Sequence, residues 1–196
     1  MEIFLNSDFN PHAQIFAWAT GAEAKGSRLF THPSCTNALQ AVGRELVTVY
    51  FHLNSTPLGV GSIVEPGNWG RIIRLYGLSH GRFAIEAAME DVRANEFAHL
   101  PSRLEAAFFF DDVHEAKHYA DADNSRRLML LYQVELVDNR ATLHRTDWRN
   151  NVPDGHLSLD WIRRYWLGEM LPPINGRECR ELLATTPLRI VGAVPR

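Results

Sequence analysis

The stretch that decides the fold is residues 108–119, which read FFFDDVHEAKHY. Its three aromatic residues favour a strand, and the polar and alanine residues after them favour a helix that carries Tyr119. Upstream, a β-branched and aromatic run over 46–53 predicts another strand, with His52 at its end. A strand-end imidazole and an aromatic strand that leads to a helix tyrosine together predict a pocket for a flat, polar ligand that contains a ring.

Hydrophobic periodicity and capping residues define the helices. Residues 81–95 form an amphipathic pattern in which Glu86 falls among the acidic residues of the polar face. Asp111 or Asp112 can cap the helix that follows the aromatic strand, and Ser158 can cap a later one. The predicted helices are 37–44, 81–95, 112–121 and 158–167, and the predicted strands are 46–53, 104–110, 128–137, 141–145, 181–184 and 188–194.

The order of these elements indicates one α+β domain built on a split, mainly antiparallel sheet. We divide the chain into an N-terminal elaboration, 1–45, and the α+β domain, 46–196. Asn68-Trp69-Gly70 continues a loop, and 146–156 contains Asn150-Asn151 and Pro153-Asp154-Gly155, so we expect 68–80 and 146–156 to be loops.

The amino-acid composition disfavours several classes of function. The chain has 196 residues, of which 45% are hydrophobic, enough for a sizeable core. A net charge of −3 gives no electrostatic basis for gripping a nucleic-acid backbone. Cys35 and Cys179 lie far apart and outside any CxxC, which is typical of reduced, inert thiols. With no secretory signal at the N-terminus and no apolar run long enough to span a membrane, we predict a cytoplasmic protein without a membrane partner.

Several sites are disfavoured by the absence of their motifs. The sequence has no GxGxxG, GxxxxGK[ST] or GxSxG, which disfavours a Rossmann fold, a P-loop and a serine hydrolase. His114 and His118 are four residues apart, but this spacing more often marks a solvated helix face than a metal site. We therefore predict no metal. The tryptophans Trp148, Trp161 and Trp166 are most simply core residues.

Three motifs in order resemble those of the ADP-ribosyltransferase-like superfamily, in its histidine–tyrosine–glutamate branch, which includes diphtheria toxin and the poly(ADP-ribose) polymerases. Residues 46–55 are similar to its histidine strand, and 108–119 keep the spacing of its aromatic, Asp, Ala and Tyr positions. A late strand beginning at Glu181 fits the glutamate motif, with Glu178 as the fallback. The resemblance covers about residues 46–194 and is nearest to an uncharacterised bacterial family, marked by PSRLE before the aromatic strand.

The resemblance implies that NAD is the substrate and assigns a triad. His52 would hydrogen-bond the adenine-side ribose, and Tyr119 would stack on nicotinamide. Glu181 would bond the 2′-hydroxyl of the nicotinamide-side ribose and stabilise the cation that develops there. Each residue also has a structural alternative, because a strand-end histidine, a half-buried helix tyrosine and a solvated strand glutamate are all common.

Further residues would complete the NAD pocket. The backbone of Leu53, Asn54 and Ser55 could hold the carboxamide, and Phe109 or Phe110 could form a wall, although at least one aromatic residue of this strand belongs to the core. Arg103 could contact a phosphate, or it could pair with Glu105 or a helix carboxylate.

The resemblance implies a toxin-like mono-ADP-ribosyltransferase that transfers ADP-ribose to an acceptor and releases nicotinamide. The acidic balance favours a protein acceptor over RNA, and the expected loops 68–80 and 146–156 are candidates to bind it. An NAD glycohydrolase and a catalytically inactive binding module remain alternatives. Leu53 stands where the family more often has glycine, which favours the inactive module. Delivery into another cell by a non-classical route is compatible with the same sequence.

Overall fold

Two antiparallel sheets organise the protein. The computed structural model describes residues 48–153, 155 and 158–195. Its strands are β1 (Tyr50–Asn54), β2 (Ile63–Val64), β3 (Ala107–Phe109), β4 (Leu130–Leu136), β5 (His144–Asp147), β6 (Arg180–Ala184) and β7 (Leu188–Val194). The first sheet has the order β1-β4-β7-β2 and the second the order β3-β6-β5, with every neighbouring pair antiparallel. The predicted α+β class is confirmed.

Helices lie between the strands along the chain. They are α1 (Asn68–Tyr76), α2 (Phe83–Glu96), α3 (Val113–Asp121) and α4 (Asp160–Leu167), and short 3₁₀ turns occupy Gly77–Ser79, Asn124–Arg126 and Trp148–Asn151. None of the helices among the described residues is both long and apolar enough to cross a bilayer. Residues of α2 and α4 pack with Leu183 of β6 in one core cluster.

A backbone bridge joins the two sheets. Phe51 of β1 and Phe110, the residue after β3, exchange two backbone hydrogen bonds of 2.8 Å each. The bridge holds the end of β1 against the end of β3. His52, the next residue along β1, consequently lies beside the second sheet.

Alternation along β6 and β7 directs side chains to opposite faces. Leu182 and Ala184 of β6 enter a core cluster that also contains residues of the first sheet, such as Ile190. Leu183 points the other way, into a second cluster formed with α2 and α4. Glu181 shares that second face, because it is two residues before Leu183. Glu181 therefore lies on the face of β6 against which α2 and α4 pack.

Several sequence predictions are confirmed. The strand predicted over 188–194 is β7, and the strand over 181–184 is β6 with one residue added. The N-cap of α3 is Asp112, whose carboxylate accepts hydrogen bonds from the backbone N–H groups of His114 (2.7 Å) and Glu115 (3.2 Å). Asp112 therefore fixes the start of α3, the helix that carries Tyr119.

Other predictions are wrong or shifted. Residues 68–80 are not a loop, because α1 and the turn Gly77–Ser79 occupy them. The loop predicted over 146–156 begins inside β5 and contains the turn Trp148–Asn151. The N-cap of α4 is Leu159 rather than Ser158, although Ser158 accepts a 3.4 Å hydrogen bond from the N–H of Asp160. The helix predicted over 37–44, the N-terminal elaboration 1–45 and Cys35 lie outside the described residues.

Close packing explains why α1 forms where its sequence suggests a loop. A Cβ atom added to Gly70 would lie 1.9 Å from the carbonyl oxygen of Leu104. At its start, α1 is tied to the same region by a 3.0 Å hydrogen bond from the N–H of Gly67 to the carbonyl of Ala106. The helix is stabilised by backbone that lies distant in sequence, which requires a glycine at the contact.

We predict that Gly70→Ala lowers the free energy of unfolding by at least about 2 kcal/mol. Alanine gains roughly 1 kcal/mol in helix propensity over glycine, but the clash with rigid backbone outweighs this gain. Chemical denaturation measures the difference. Gly81→Ala is the matched control, because a Cβ atom there meets nothing within 4 Å. Equal stabilities of the two variants would contradict the packing argument.

Candidate functional site

A buried chain of alternating charges lies between α2 and the second sheet. Arg103 donates hydrogen bonds to both oxygens of Glu86, at 3.0 and 3.2 Å, and to Oε1 of Glu181 at 3.3 Å. Arg82 donates to Glu86 from the other side at 3.3 Å. The side chains of Glu86, Arg103 and Glu181 are each at most 6% exposed. The order Arg82–Glu86–Arg103–Glu181 therefore places two cations and two carboxylates in one connected set.

Tyr165 of α4 completes the set at its inner end. Its hydroxyl donates to Oε1 of Glu181 at 3.0 Å and accepts a short hydrogen bond from Arg103. Oε1 of Glu181 therefore has two donors, whereas no described residue donates to Oε2. The carboxylate is therefore held through Oε1 by both donors.

Burial and neighbouring charge set the protonation of the two glutamates. Burial raises the pKa of Glu181, and the opposing attraction of Arg103 does not cancel it. Burial would also raise the pKa of Glu86, but Arg103 and Arg82 outweigh it and hold that pKa below its usual range. Glu86 therefore stays ionised to a lower pH than Glu181 does. Glu181 is the carboxylate whose charge responds to pH.

His52 is fixed by the strand beside it. Its Nδ1 lies 2.8 Å from the carbonyl oxygen of Phe108, and since a carbonyl can only accept, Nδ1 carries the hydrogen. Burial lowers the pKa of His52, which favours the neutral ring. Nε2 is then an acceptor, and the Asn54 side-chain amide lies 3.5 Å from it. The imidazole presents a defined acceptor at the end of β1.

Tyr119 lies in an aromatic cluster on α3. Its ring is 5.3 Å from that of Phe110 and 5.4 Å, edge-on, from that of Trp148. The guanidinium of Arg126 lies over the ring at 3.9 Å, so one face is covered by a cation. Burial raises the pKa of the phenol, and the charges of Arg126 and Glu181 also act on it. Tyr119 and Glu181 are therefore within electrostatic reach of each other.

The predicted triad surrounds β3 without direct bonds among its members. No hydrogen bond or ion pair between residues 48 and 195 that the structure describes joins any two of His52, Tyr119 and Glu181. Phe108 of β3 connects their surroundings, since its carbonyl binds His52 and its ring lies 4.9 Å from the guanidinium of Arg103. Phe108 thus contacts both His52 and Arg103, the partner of Glu181.

Several predicted pocket residues are in the core. Phe109 is fully buried and packs edge-on against Tyr50, so it cannot wall a ligand pocket. Phe110 is also buried but contacts Tyr119 directly. The Leu53 side chain is buried in the cluster under α3. Only Asn54 and Ser55, which are partly or fully exposed at the end of β1, keep side chains open to a ligand.

Of the partners that the sequence left open for Arg103, the structure shows a helix carboxylate. Its guanidinium is enclosed by Glu86, Glu181 and Tyr165, and the side chain is 6% exposed. The alternative of a helix carboxylate is the one observed, with Glu86 as the partner rather than Glu105. Exchanging these ion pairs for a phosphate contact would leave Glu181 buried without its cation, which is energetically unfavourable.

Sequence reasoning missed the other members of the charged set. Glu86 was placed on the polar face of its helix, yet it is buried together with Met89 and Val92. Its position three residues before Met89, on the stripe that faces the core, was the available signal. Tyr165 lies in the helix predicted over 158–167, and no local pattern links it to its partner Glu181, 16 residues away in sequence.

The remaining candidates are structural in this geometry. Glu178, the fallback for the triad, pairs with Arg180 and has a side chain that is 46% exposed. His118 is half-buried, and its Nε2 lies 3.5 Å from the sulfur of Cys179. Burial raises the pKa of Cys179 to about 11, as expected for an inert thiol. Trp161 and Trp166 are core residues, as predicted.

We predict that Arg103→Met lowers the free energy of unfolding by about 3–5 kcal/mol at neutral pH, since it leaves Glu181 buried without its cation and Glu86 with Arg82 alone. The loss should shrink as the pH falls, because protonated glutamates need no cation. Denaturant titrations at several pH values measure both effects. Arg163→Met, which removes the exposed pair with Glu96, is the control and should change stability little. Similar losses in both variants would contradict the buried-charge argument.

Comparison with known proteins identifies the family. A family model described as "Protein of unknown function (DUF2441)" matches residues 49–193, which include β1 to β7 almost completely and all of the charged set. A search of curated proteins finds no match. Because the family model covers most of the chain, the protein belongs to the DUF2441 family, whose function is unknown.

Proposed function

We propose that this protein is an NAD-dependent mono-ADP-ribosyltransferase that transfers ADP-ribose to a protein acceptor and releases nicotinamide. The observation that carries the proposal is the state of Glu181. It is a buried carboxylate, held through Oε1 by Arg103 and Tyr165, and within electrostatic reach of the Tyr119 phenol. The resemblance of the three sequence motifs supports the same assignment.

Breaking the bond between nicotinamide and ribose develops positive charge on the sugar. A fixed carboxylate in a site of low dielectric stabilises such charge strongly, because it need not reorganise during the reaction. Glu181 has this arrangement, and its Oε2 is free to accept a hydrogen bond from the ribose 2′-hydroxyl. In this proposal Arg103 and Tyr165 are positioning residues, since they hold the carboxylate and do not touch the substrate.

His52 and Tyr119 bind the rest of the dinucleotide in this proposal. The Nε2 acceptor of His52 bonds a hydroxyl of the adenine-side ribose, and its Nδ1–H remains bound to Phe108. Tyr119 stacks on nicotinamide. Since Arg126 covers one face of the Tyr119 ring, nicotinamide either uses the opposite face or displaces the guanidinium.

One observation favours a second candidate, a binding module that has lost its chemistry. Arg103 already neutralises Glu181, and a carboxylate in a buried ion pair serves folding whether or not it serves catalysis. Such a module could still bind NAD through His52 and Tyr119. The two candidates differ in whether nicotinamide is released.

We expect the purified protein to release nicotinamide from NAD, and Glu181→Gln to slow that release at least about 100-fold, roughly 2.7 kcal/mol in the barrier. Glutamine keeps the shape and one acceptor but loses the charge that stabilises the cation. Chromatography of the products measures the rate. Glu178→Gln should keep the wild-type rate, because that side chain faces solvent with Arg180. A folded wild-type protein that binds NAD but releases no nicotinamide would support the binding module. Mass spectrometry of treated lysate proteins then separates transfer to an acceptor from hydrolysis.

The pH dependence of the rate provides a separate test. Catalysis needs ionised Glu181, and burial raises the pKa of this group above that of an exposed glutamate. We therefore expect kcat to rise with pH through a midpoint above 4.5, the ordinary glutamate value. Tyr165→Phe removes a donor to the ionised form, so this variant should move the midpoint to higher pH. A midpoint unchanged in Tyr165→Phe would contradict the assignment of Glu181 as the titrating group.

A further inference from the structure

We propose that Glu86 is a positioning residue for Glu181 and acts through Arg103, which it holds in place and prevents from neutralising Glu181 fully. This inference rests on the proposed function, because it concerns the carboxylate that is assigned to the developing cation. Glu86 belongs to α2 and Glu181 to β6, and the guanidinium of Arg103 is bonded to both.

The guanidinium of Arg103 is divided unequally between the two carboxylates. Its Nε and Nη2 donate to the two oxygens of Glu86, at 3.0 and 3.2 Å, whereas only Nη1 donates to Glu181, at 3.3 Å. A pair of bonds from one guanidinium to one carboxylate is the stronger geometry for an ion pair. Glu86 therefore takes the larger share of the Arg103 charge, and Glu181 keeps more of its own.

Aromatic rings restrict the plane of the same guanidinium. Its central carbon lies 4.9 Å from the centre of the Phe108 ring and 4.9 Å from that of the Tyr165 ring. Arginine stacks on such ring faces and directs its N–H groups outward from the edge of the guanidinium. With the plane set by the rings and one edge bound to Glu86, Nη1 is directed at Glu181.

Arg82 binds Glu86 at the other end of the set. Its Nη2 donates to Glu86 at 3.3 Å and to the carbonyl oxygen of Asn151 at 2.7 Å, and its side chain is 27% exposed. Because opposite charges alternate along the set, a change at one group acts on the next in the opposite sense. Loss of the Glu86 charge would leave Arg103 to Glu181 alone. Loss of the Arg82 charge would draw Arg103 more strongly to Glu86.

The charged and polar groups around Glu181 act in both directions on its ionisation. Burial raises the pKa of Glu181, the charge of Arg103 and the hydroxyl of Tyr165 lower it, and the charge of Glu86 raises it. Removing Glu86 therefore acts on Glu181 twice in the same sense, directly and by releasing Arg103.

Two other titratable side chains near the set are neutral at physiological pH. Burial raises the pKa of the Tyr119 phenol on α3. Burial also lowers the pKa of His144, on the neighbouring strand β5, to about 4. Arg103 and Glu86 are thus the charges that set the ionisation of Glu181.

The titration of Glu181 tests the inference without depending on turnover. NMR of labelled glutamate carboxyl carbons follows it, and the Glu181 signal is the one that is missing in Glu181→Gln. In Glu86→Gln the pKa of Glu181 should fall, because Arg103 then bonds Glu181 alone. In Arg82→Gln it should rise, because Glu86 then takes more of the Arg103 charge. Arg82→Gln decides the question where Glu86→Gln does not fold.

Nicotinamide release provides the second readout. Glu86→Gln should lower the plateau of kcat at least about tenfold, because a more fully neutralised Glu181 stabilises the cation less, and should move the midpoint of the pH profile to lower pH. Loosened packing that merely released Glu181 from Arg103 would raise this midpoint instead. Glu96→Gln is the matched control, since it removes an exposed carboxylate of α2 that is paired with Arg163, and should leave the titration and kcat unchanged.

The outcomes separate this inference from the proposed function. Opposite shifts of the Glu181 pKa in Glu86→Gln and Arg82→Gln, without nicotinamide release by the wild-type protein, keep the coupling of Glu86 to Glu181 and reject the transferase. Nicotinamide release with an unchanged pKa of Glu181 in both variants keeps the transferase and overturns the inference. A lower kcat in Glu86→Gln with an unchanged or raised pKa of Glu181 gives Glu86 a structural role alone, and also overturns it.

Discussion

The buried ion pairs and hydrogen bonds of the Arg103 guanidinium join parts of the chain that lie far apart in sequence. It lies in the turn before β3 and binds Glu86 of α2, Glu181 of β6 and Tyr165 of α4. The turn before β3, α2, α4 and β6 are thereby held together by one side chain. Each buried charge costs several kcal/mol of solvation, so the set is tolerable only because every charge is paired and hydrogen-bonded. This requirement specifies one arrangement of the two helices against the second sheet.

Local signals in the sequence were enough to predict much of the fold. Residues 188–194 alternate between buried and exposed positions, which a period of two reveals, and Asp112 marks its helix start by a short-range side-chain bond. Helix α1 could not be predicted this way. Its segment contains Gly70, a poor helix former, and the helix is stabilised where that glycine meets the backbone of Leu104. Packing between distant segments leaves no local pattern to detect.

The residues of the candidate site also differ in whether a local sequence signal reveals them. His52 and Tyr119 were found because each occupies a definite place in an element, at a strand end and on a capped helix. The partners of Arg103 were not found, because the separations of 17 residues to Glu86 and 78 to Glu181 carry no periodic signal. From the sequence, Arg103 has three possible partners: a phosphate, Glu105 or a helix carboxylate. In the three-dimensional packing it pairs with a helix carboxylate, that of Glu86.

A buried carboxylate that is already neutralised can still act on a developing cation. Arg103 and Tyr165 both bind Oε1 of Glu181, so the charge of the group is not removed but held in place, and Oε2 remains an acceptor. The cost of orienting this carboxylate is met during folding rather than during reaction, which is the condition for strong electrostatic stabilisation. Buried ion pairs are often replaceable by apolar residues of similar volume without loss of stability, so stability alone does not account for these charges. Under the proposed function, chemistry at Glu181 requires its charge to be kept.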